Sequence, residues 1–324
     1  MLDIMRAIHF FKAYSRIGMA HIPIHGTSLN IGVEEGPNAI FSPSFCSENG
    51  LHTFDDFIFS RPEEFDKNQI FSEFRKESEN FALLINEKLQ VTNGLQVVVG
   101  GDHSVAYASL LAIVHRYSPN DIGFIQIDSH ADINNLSSSP TGNIHGMYLR
   151  PFLDKFDCLE LEIPAALRLS PKQVLYIGNL ELDPDEARFI SSHNIPVITQ
   201  QKIQTDPNGT TVLIKEYVRC FKHLHISFDI DVFDQSLVTA TGTPSIDGLF
   251  AQDVFPLLKL VSQHPDISID LVEVNPFKSG AVETIALAQN ILIELLAKHK
   301  EYLKHAEDLK ITPIDKEIAK KYSK

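Results

Sequence analysis

Within the five residues DSHAD at 128–132, side chains able to bind a metal recur at every second position. On an extended backbone alternate residues share a face, so Asp128, His130 and Asp132 can point together. SFDID at 227–231 repeats the spacing with Asp229 and Asp231, and GGDHS at 100–104 adds a second imidazole, His103. The set is four carboxylates and two imidazoles with no thiolate. Such oxygen-rich ligation suits Mn²⁺ better than a structural zinc ion, which usually recruits Cys. Four negative ligand charges exceed the need of one divalent ion, whereas two ions bridged by shared carboxylates, about 3.5–4 Å apart, balance them. Taken singly, an Asp after a strand is ordinarily a helix N-cap or turn former, and a lone His is more often a hydrogen-bonded core residue. The three clusters together favour the metal reading.

These residues need elements to hold them. Short β-branched runs alternate with helical patterns along the chain: 95–101, 123–128, 173–178, 195–199, 223–230 and 267–274 read as strands, and 104–117, 207–222, 251–263 and 280–299 as helices. Nearly continuous apolar strands separated by helices indicate a mainly parallel sheet covered on both faces, an α/β fold. Chemically capable residues begin where the strand runs end, at Asp102-His103, at 128–132, at 229–231 and at Glu273. In open parallel sheets, sites gather at the carboxyl ends of the strands, so these segments are expected to converge. The polar segment 42–80 reads as an excursion from the sheet, with Pro43 and Pro62 as breakers. The charged tail 300–324 reads as a peripheral helix or frayed end. No Gly/Ser-rich linker divides the chain, so one domain over 1–324 is expected.

Composition narrows the classes. The formal net charge is −14, with 28 Lys and Arg against 42 Asp and Glu. That balance argues against nucleic acid or an anionic membrane surface as partner, since both want clustered basic residues. It is compatible with a cationic substrate, although most of the carboxylates must be solvated surface. Cys46, Cys158 and Cys220 lie far apart in no metal-ligand spacing, which suggests reduced thiols in a cytoplasmic protein. The first residues do not read as a signal peptide, and no stretch approaches the roughly 18 apolar residues of a membrane helix.

In their order and spacing, GVEEGP (32–37), GGDHS (100–104), DSHADIN (128–134), TGNIHG (141–146), SFDIDVFD (227–234), ATGTP (240–244) and VEVNP (272–276) resemble the motifs of the ureohydrolases, arginases in particular. The resemblance implies a three-layer α/β/α fold around a mainly parallel sheet, two Mn²⁺ per chain and hydrolysis of L-arginine to L-ornithine and urea by a hydroxide held between the metals. It further implies that His103, Asp128, Asp132 and Asp229 hold one ion and that His130, Asp128, Asp229 and Asp231 hold the other. Asp132 would also relay a proton to the leaving amine, Glu273 would pair with the guanidinium, and His145 would shuttle protons to solvent. Asn134, Ser139 and Thr141 resemble contacts to the substrate carboxylate. Asp183 and Glu186 resemble the acidic pair near its α-amino group, and Thr243 in ATGTP belongs to the same substrate-side set. A homo-oligomer, trimer or hexamer, is implied as well.

Several positions depart from the family pattern. Ser129 stands where many relatives have Ala. Gln235 stands where Pro is usual, so a freer backbone is expected there. Asn179-Leu180-Glu181 replaces the usual Leu-Arg-Asp run, and Gln252 falls where animal members carry an Arg used between subunits. Three other functions compete. A hydrolase of agmatine or another guanidino or formimino compound would share the chemistry, but its loop 134–145 would not meet an α-carboxylate. A metal-braced binding protein would have no use for Glu273 and His145, neither of them a ligand. A mononuclear zinc hydrolase would leave two carboxylates without a role.

Overall fold

The computed structural model describes residues 7–19, 30–64, 66, 69–92 and 94–308. Among the described residues eight strands are seen: β1 (Ile8–Tyr14), β2 (Phe54–Ile58), β3 (Leu95–Gly100), β4 (Ile122–Ile127), β5 (Val174–Ile177), β6 (Val197–Ile198), β7 (His223–Asp229) and β8 (Ile267–Val272). They form one sheet in the order β2-β1-β3-β8-β7-β4-β5-β6, and every pairing is parallel. The expectation of a mainly parallel sheet is met, and among the described residues the sheet is wholly parallel.

Helices cover both faces: α1 (Gly36–Ile40), α2 (Pro43–Asn49), α3 (Ile70–Thr92), α4 (Val105–Arg116), α5 (Pro184–His193), α6 (Gln200–Thr205), α7 (Pro207–Arg219), α8 (Ala251–Val261) and α9 (Ala281–Asp308). The period of two along each strand sorts the core into two layers. Val98 and Phe124 face a cluster with α3, α4, α5 and the segment 144–169, whereas Val97, Val99 and Ile125 face α1, α2, α7, α8 and α9. The result is the three-layer α/β/α arrangement. Burying each such large apolar side chain contributes about 1.5–3 kcal/mol.

The segment 42–80 is not an excursion. It supplies α2, the edge strand β2 and the first half of α3. Its polarity has a local cause: β2 is an edge strand in which no residue is fully buried, while Phe54 packs on Phe10 and Phe41, and Phe57 on Phe59 and Phe81. Pro43 does not break a helix but opens α2, where its missing N–H costs nothing, with the Ser42 hydroxyl capping the N–H of Phe45. Between β2 and β3 in the sheet runs β1, which has no counterpart among the strands expected from sequence. Of the tail, 300–308 continues α9, and 309–324 lies outside the described residues. Among the described residues no helix is long and apolar enough to cross a membrane.

Candidate metal centre

The four middle strands of the sheet, β3, β8, β7 and β4, end side by side. At or just past their carboxyl ends come His103, Glu273, Asp229 with Asp231, and Asp128 with His130 and Asp132. Gly178, after the end of β5, lets that strand approach closely. A Cβ there would lie 1.8 Å from the carbonyl oxygen of Asp128.

Two groups of ligand atoms converge, one from His103, Asp128 and Asp132, the other from Asp128, His130 and Asp231. Nδ1 of His103 lies 2.9 Å from Oδ2 of Asp132 and 3.2 Å from Oδ2 of both Asp128 and Asp229. Nδ1 of His130 lies 3.2 Å from Asp231 and 3.5 Å from Asp128. Asp128 belongs to both groups. It is fully buried, and its Oδ1 accepts the N–H of His130. The Ser129 hydroxyl donates to the carbonyl of Asp231, tying the two ligand segments together.

The electrostatics point the same way. Burial, then the charges of Asp231 and Asp128, push the Asp229 carboxyl well up. Burial and Asp128 push Asp132 up to about 6. For Asp128 burial acts upward, but His103 and His130 beside it outweigh burial and hold the group well below the usual carboxylate range. Burial would lower both imidazoles, yet Tyr148 and the carboxylates at His103, and Asp231 and Asp128 at His130, raise them well above their ordinary value. A buried cluster of this kind is short of positive charge. Divalent cations fit it. The donors are carboxylate oxygens and imidazole nitrogens only, and Nδ1 of His103, surrounded by three carboxylates, makes no hydrogen bond. The residues present could therefore hold a metal.

Beside the cluster, Glu273 is buried with its backbone in the left-handed region at φ 66°, as is Asp132 at φ 54°. Non-glycine residues seldom adopt that conformation, which costs on the order of 1–3 kcal/mol and concentrates at functional sites. Oε1 of Glu273 accepts the N–H of His103 and Oε2 accepts the Asn30 amide, whose own oxygen accepts from Asn275. Gly242 leaves room for this arrangement, since a Cβ there would lie 2.9 Å from Asn30 Nδ2 and 3.2 Å from Glu273 Oε2. Burial, then the Asp102 and Asp231 charges, push Glu273 up to about 8. His145 stands with Nδ1 4.0 Å from Glu273, and that nitrogen makes no hydrogen bond among the described residues. Burial and the two neighbouring imidazoles push it down to about 4, so its ring is neutral here.

The remaining expected residues lie in the segment 134–141, at the start of α5 and in the loop between β7 and α8. The Asn134 amide donates to Asp183, while Glu186 accepts the N–H groups of Ile133 and Asp183 at the start of α5. Ser139 and Thr141 accept the N–H groups of Gly142 and Asn143, which leaves each hydroxyl proton free to donate. The Thr243 hydroxyl donates to Asp231. At Gln235 the expectation of a freer backbone fails: its N–H, which Pro would lack, donates to the Ser245 carbonyl at 2.7 Å. Asn179 is likewise tied, to the Asp247 carbonyl and the N–H of Gln200. Asn30 was not legible as a site residue, since nothing in its neighbourhood announces a long-range contact. Asn275 sits inside VEVNP and carried that signal.

With this geometry in view, comparisons with known proteins become informative. The family model "Arginase family" matches residues 15–297. Arginase, non-hepatic 2, of Xenopus laevis is 32% identical over 287 residues, covering 82% of this chain and 78% of that protein. The arginase of Staphylococcus aureus strain MRSA252 is 32% identical over 246 residues, 74% of each chain. Among solved structures, arginase from Bacillus subtilis superposes with a TM-score of 0.74 at 26% identity, covering 90% of this chain and 98% of the other. A family match that spans every strand bearing the converging side chains, joined to relatives at this identity and coverage, leads to one conclusion: the chain belongs to the arginase family and is a hydrolase of the ureohydrolase type.

Proposed function

We propose that the protein hydrolyses the guanidinium group of L-arginine, giving L-ornithine and urea, at a pair of Mn²⁺ ions. His103, Asp128, Asp132 and Asp229 would hold one ion, and His130, Asp128, Asp229 and Asp231 the other, with Asp128 and Asp229 serving both. Such a pair, when bound, supplies Lewis acidity and activates water as a nucleophile near neutral pH.

The observation that carries the reading is Glu273. Its carboxylate is buried on a strained backbone, and among the described residues it makes no ion pair with Arg or Lys. Lys278, which feels its charge, gives its ammonium to the carbonyls of Thr241 and Gly242. A carboxylate held this way favours a cation brought by the substrate. The planar guanidinium fork matches it in two parallel hydrogen bonds, and that pairing fixes the guanidinium carbon beside the ligand cluster. Water adds to that carbon, and Asp132 takes the proton released. The bond from carbon to the δ-nitrogen then breaks, and the leaving amine receives the proton. His145, neutral and 24% exposed, exchanges protons with solvent.

For the amino-acid end, Ser139 and Thr141 offer hydroxyl protons to the α-carboxylate, and Asn134 holds their loop against Asp183. Asp183 and Glu186 give that side a negative potential suited to the α-amino group. The three free cysteines agree with a cytoplasmic protein, read here as one domain working as a homo-oligomer. Stripping the protein with chelator and titrating Mn²⁺ back while following urea release from L-arginine tests the reading. Full activity should arrive with two ions per chain. A reproducible single ion with full activity would contradict the paired site.

A further inference from the structure

Gln126 is a polar residue in the middle of a fully buried strand, β4, and Tyr148 is a tyrosine with no solvent exposure. Neither is a candidate ligand, yet together with Ser227 they connect two of the candidates. Nε2 of His103 lies 2.9 Å from the Ser227 hydroxyl, and that hydroxyl lies 3.3 Å from the hydroxyl of Tyr148. Tyr148 donates to Oε1 of Gln126 at 3.1 Å. The Gln126 amide donates to Oδ2 of Asp128 at 2.7 Å, with longer contacts to the His130 carbonyl and to Asp132. The ring of Tyr148 rests against that of His103, with centroids 4.7 Å apart.

Donor and acceptor chemistry fixes the direction of every proton in this circuit. Asp128 is an acceptor, so Gln126 must turn its NH₂ toward it and its carbonyl toward Tyr148; the reversed amide would set oxygen against oxygen. The carbonyl only accepts, so the Tyr148 proton goes to Gln126. The Tyr148 oxygen can then accept, and the Ser227 proton goes to it. The Ser227 oxygen in turn accepts from His103, whose Nε2 must carry hydrogen. A neutral imidazole with hydrogen on Nε2 has its lone pair on Nδ1, the nitrogen facing Asp128, Asp132 and Asp229.

We propose that Gln126 and Tyr148, through Ser227, are positioning residues that lock His103 in its Nε2–H tautomer and pin Asp128, thereby setting the affinity of the cation position that these two ligands share. The inference rests on the metal reading above. Partners that orient metal ligands typically change affinity by about 10–100-fold when removed. Asp128 serves both positions, but His103 belongs to one of them and it alone is held through Ser227, so the larger effect should fall on the position that includes His103.

Tyr148→Phe removes one oxygen and keeps the ring against His103. Mn²⁺ binding to the chelator-stripped parent and variant, read from the electron-paramagnetic signal of free Mn²⁺, should resolve two affinities. In the variant one should weaken by about tenfold or more while the other changes clearly less. Ser227→Ala breaks the same circuit at the next link and should weaken the same site, and the double variant should be little worse than either single, because a chain broken once is already open. Should Tyr148→Phe fail to fold, Ser227→Ala carries the test alone. Parent-like affinities in the folded variants, equal weakening of both sites, or fully additive losses would overturn the proposal. A parent that binds no Mn²⁺ would instead sink the metal reading itself.

Discussion

Glu273 and Thr141 face opposite ends of the proposed substrate, so their replacement should have different signatures. Glu273→Gln keeps the shape but removes the charge that pairs with guanidinium. A hydrogen bond to a charged group is worth roughly 1.5–3 kcal/mol, so kcat/KM should fall about ten- to a hundredfold for L-arginine and agmatine alike. Thr141→Val removes a hydroxyl whose oxygen accepts the N–H of Asn143 but whose proton has no acceptor among the described residues, and it should penalise L-arginine more than agmatine. Steady-state kinetics on both substrates reads the difference, and equal losses in Thr141→Val would make the loop a support rather than a reader. Asn134→Ala is the less clean test, because its amide also holds Asp183. The ligand residues were legible from sequence because a spacing of two on an extended backbone places side chains on one face. Asn30 and Tyr148 were not, since their contacts reach residues 243 and 79 positions away. Gln126 did carry a signal, as a polar residue inside an apolar run.

At the scale of elements, β7 shows how one strand serves both core and site. Leu224, Ile226 and Phe228 face one core layer, while His223, His225, Ser227 and Asp229 line the other face. That polar face is satisfied by its neighbours: His223 meets Asp266 and Ser268, and His225 meets Ser268 and Asp270. Burial pushes His223 down from its ordinary 6.5 to about 4, against the opposing pull of Asp266. The unfolded chain therefore binds more protons between those values, and the stability associated with neutral His223 is present above 6.5 and lost as pH falls through about 4. Between pH 7 and pH 5 the loss should be roughly 2 kcal/mol. Denaturant unfolding of the chelator-treated parent should show that loss of free energy between the two pH values, and His223→Gln should lose less. The central strands and their helices were readable because buried parallel strands are nearly continuous in apolar residues. The edge strand β2 was not, since none of its residues is fully buried, and the prolines that looked like breakers stand at helix and turn starts.

For the molecule as a whole, the cluster gathers Asp128, Asp132 and Asp231, with Asp229 beside His103, at the end of one sheet in a chain of formal charge −14. Folding without cations keeps those charges in each other's company, so metal binding should stabilise the fold directly. With Mn²⁺ at about a hundred times its dissociation constant the gain is about 2.7 kcal/mol per site. Calorimetry should show Tm rising by about 5 °C or more over the chelated protein, and an unchanged Tm would mean that the cluster holds no cation. The tool that most directly tests the central claim is substrate choice by the Mn²⁺-loaded protein: kcat/KM for urea release from L-arginine set against agmatine, which keeps the guanidinium and lacks the carboxylate. A pocket that leaves its donors unpaired loses about 1–3 kcal/mol per buried group. L-Arginine should therefore be favoured by about tenfold or more, whereas agmatine turned over as well as L-arginine or better would contradict the assignment.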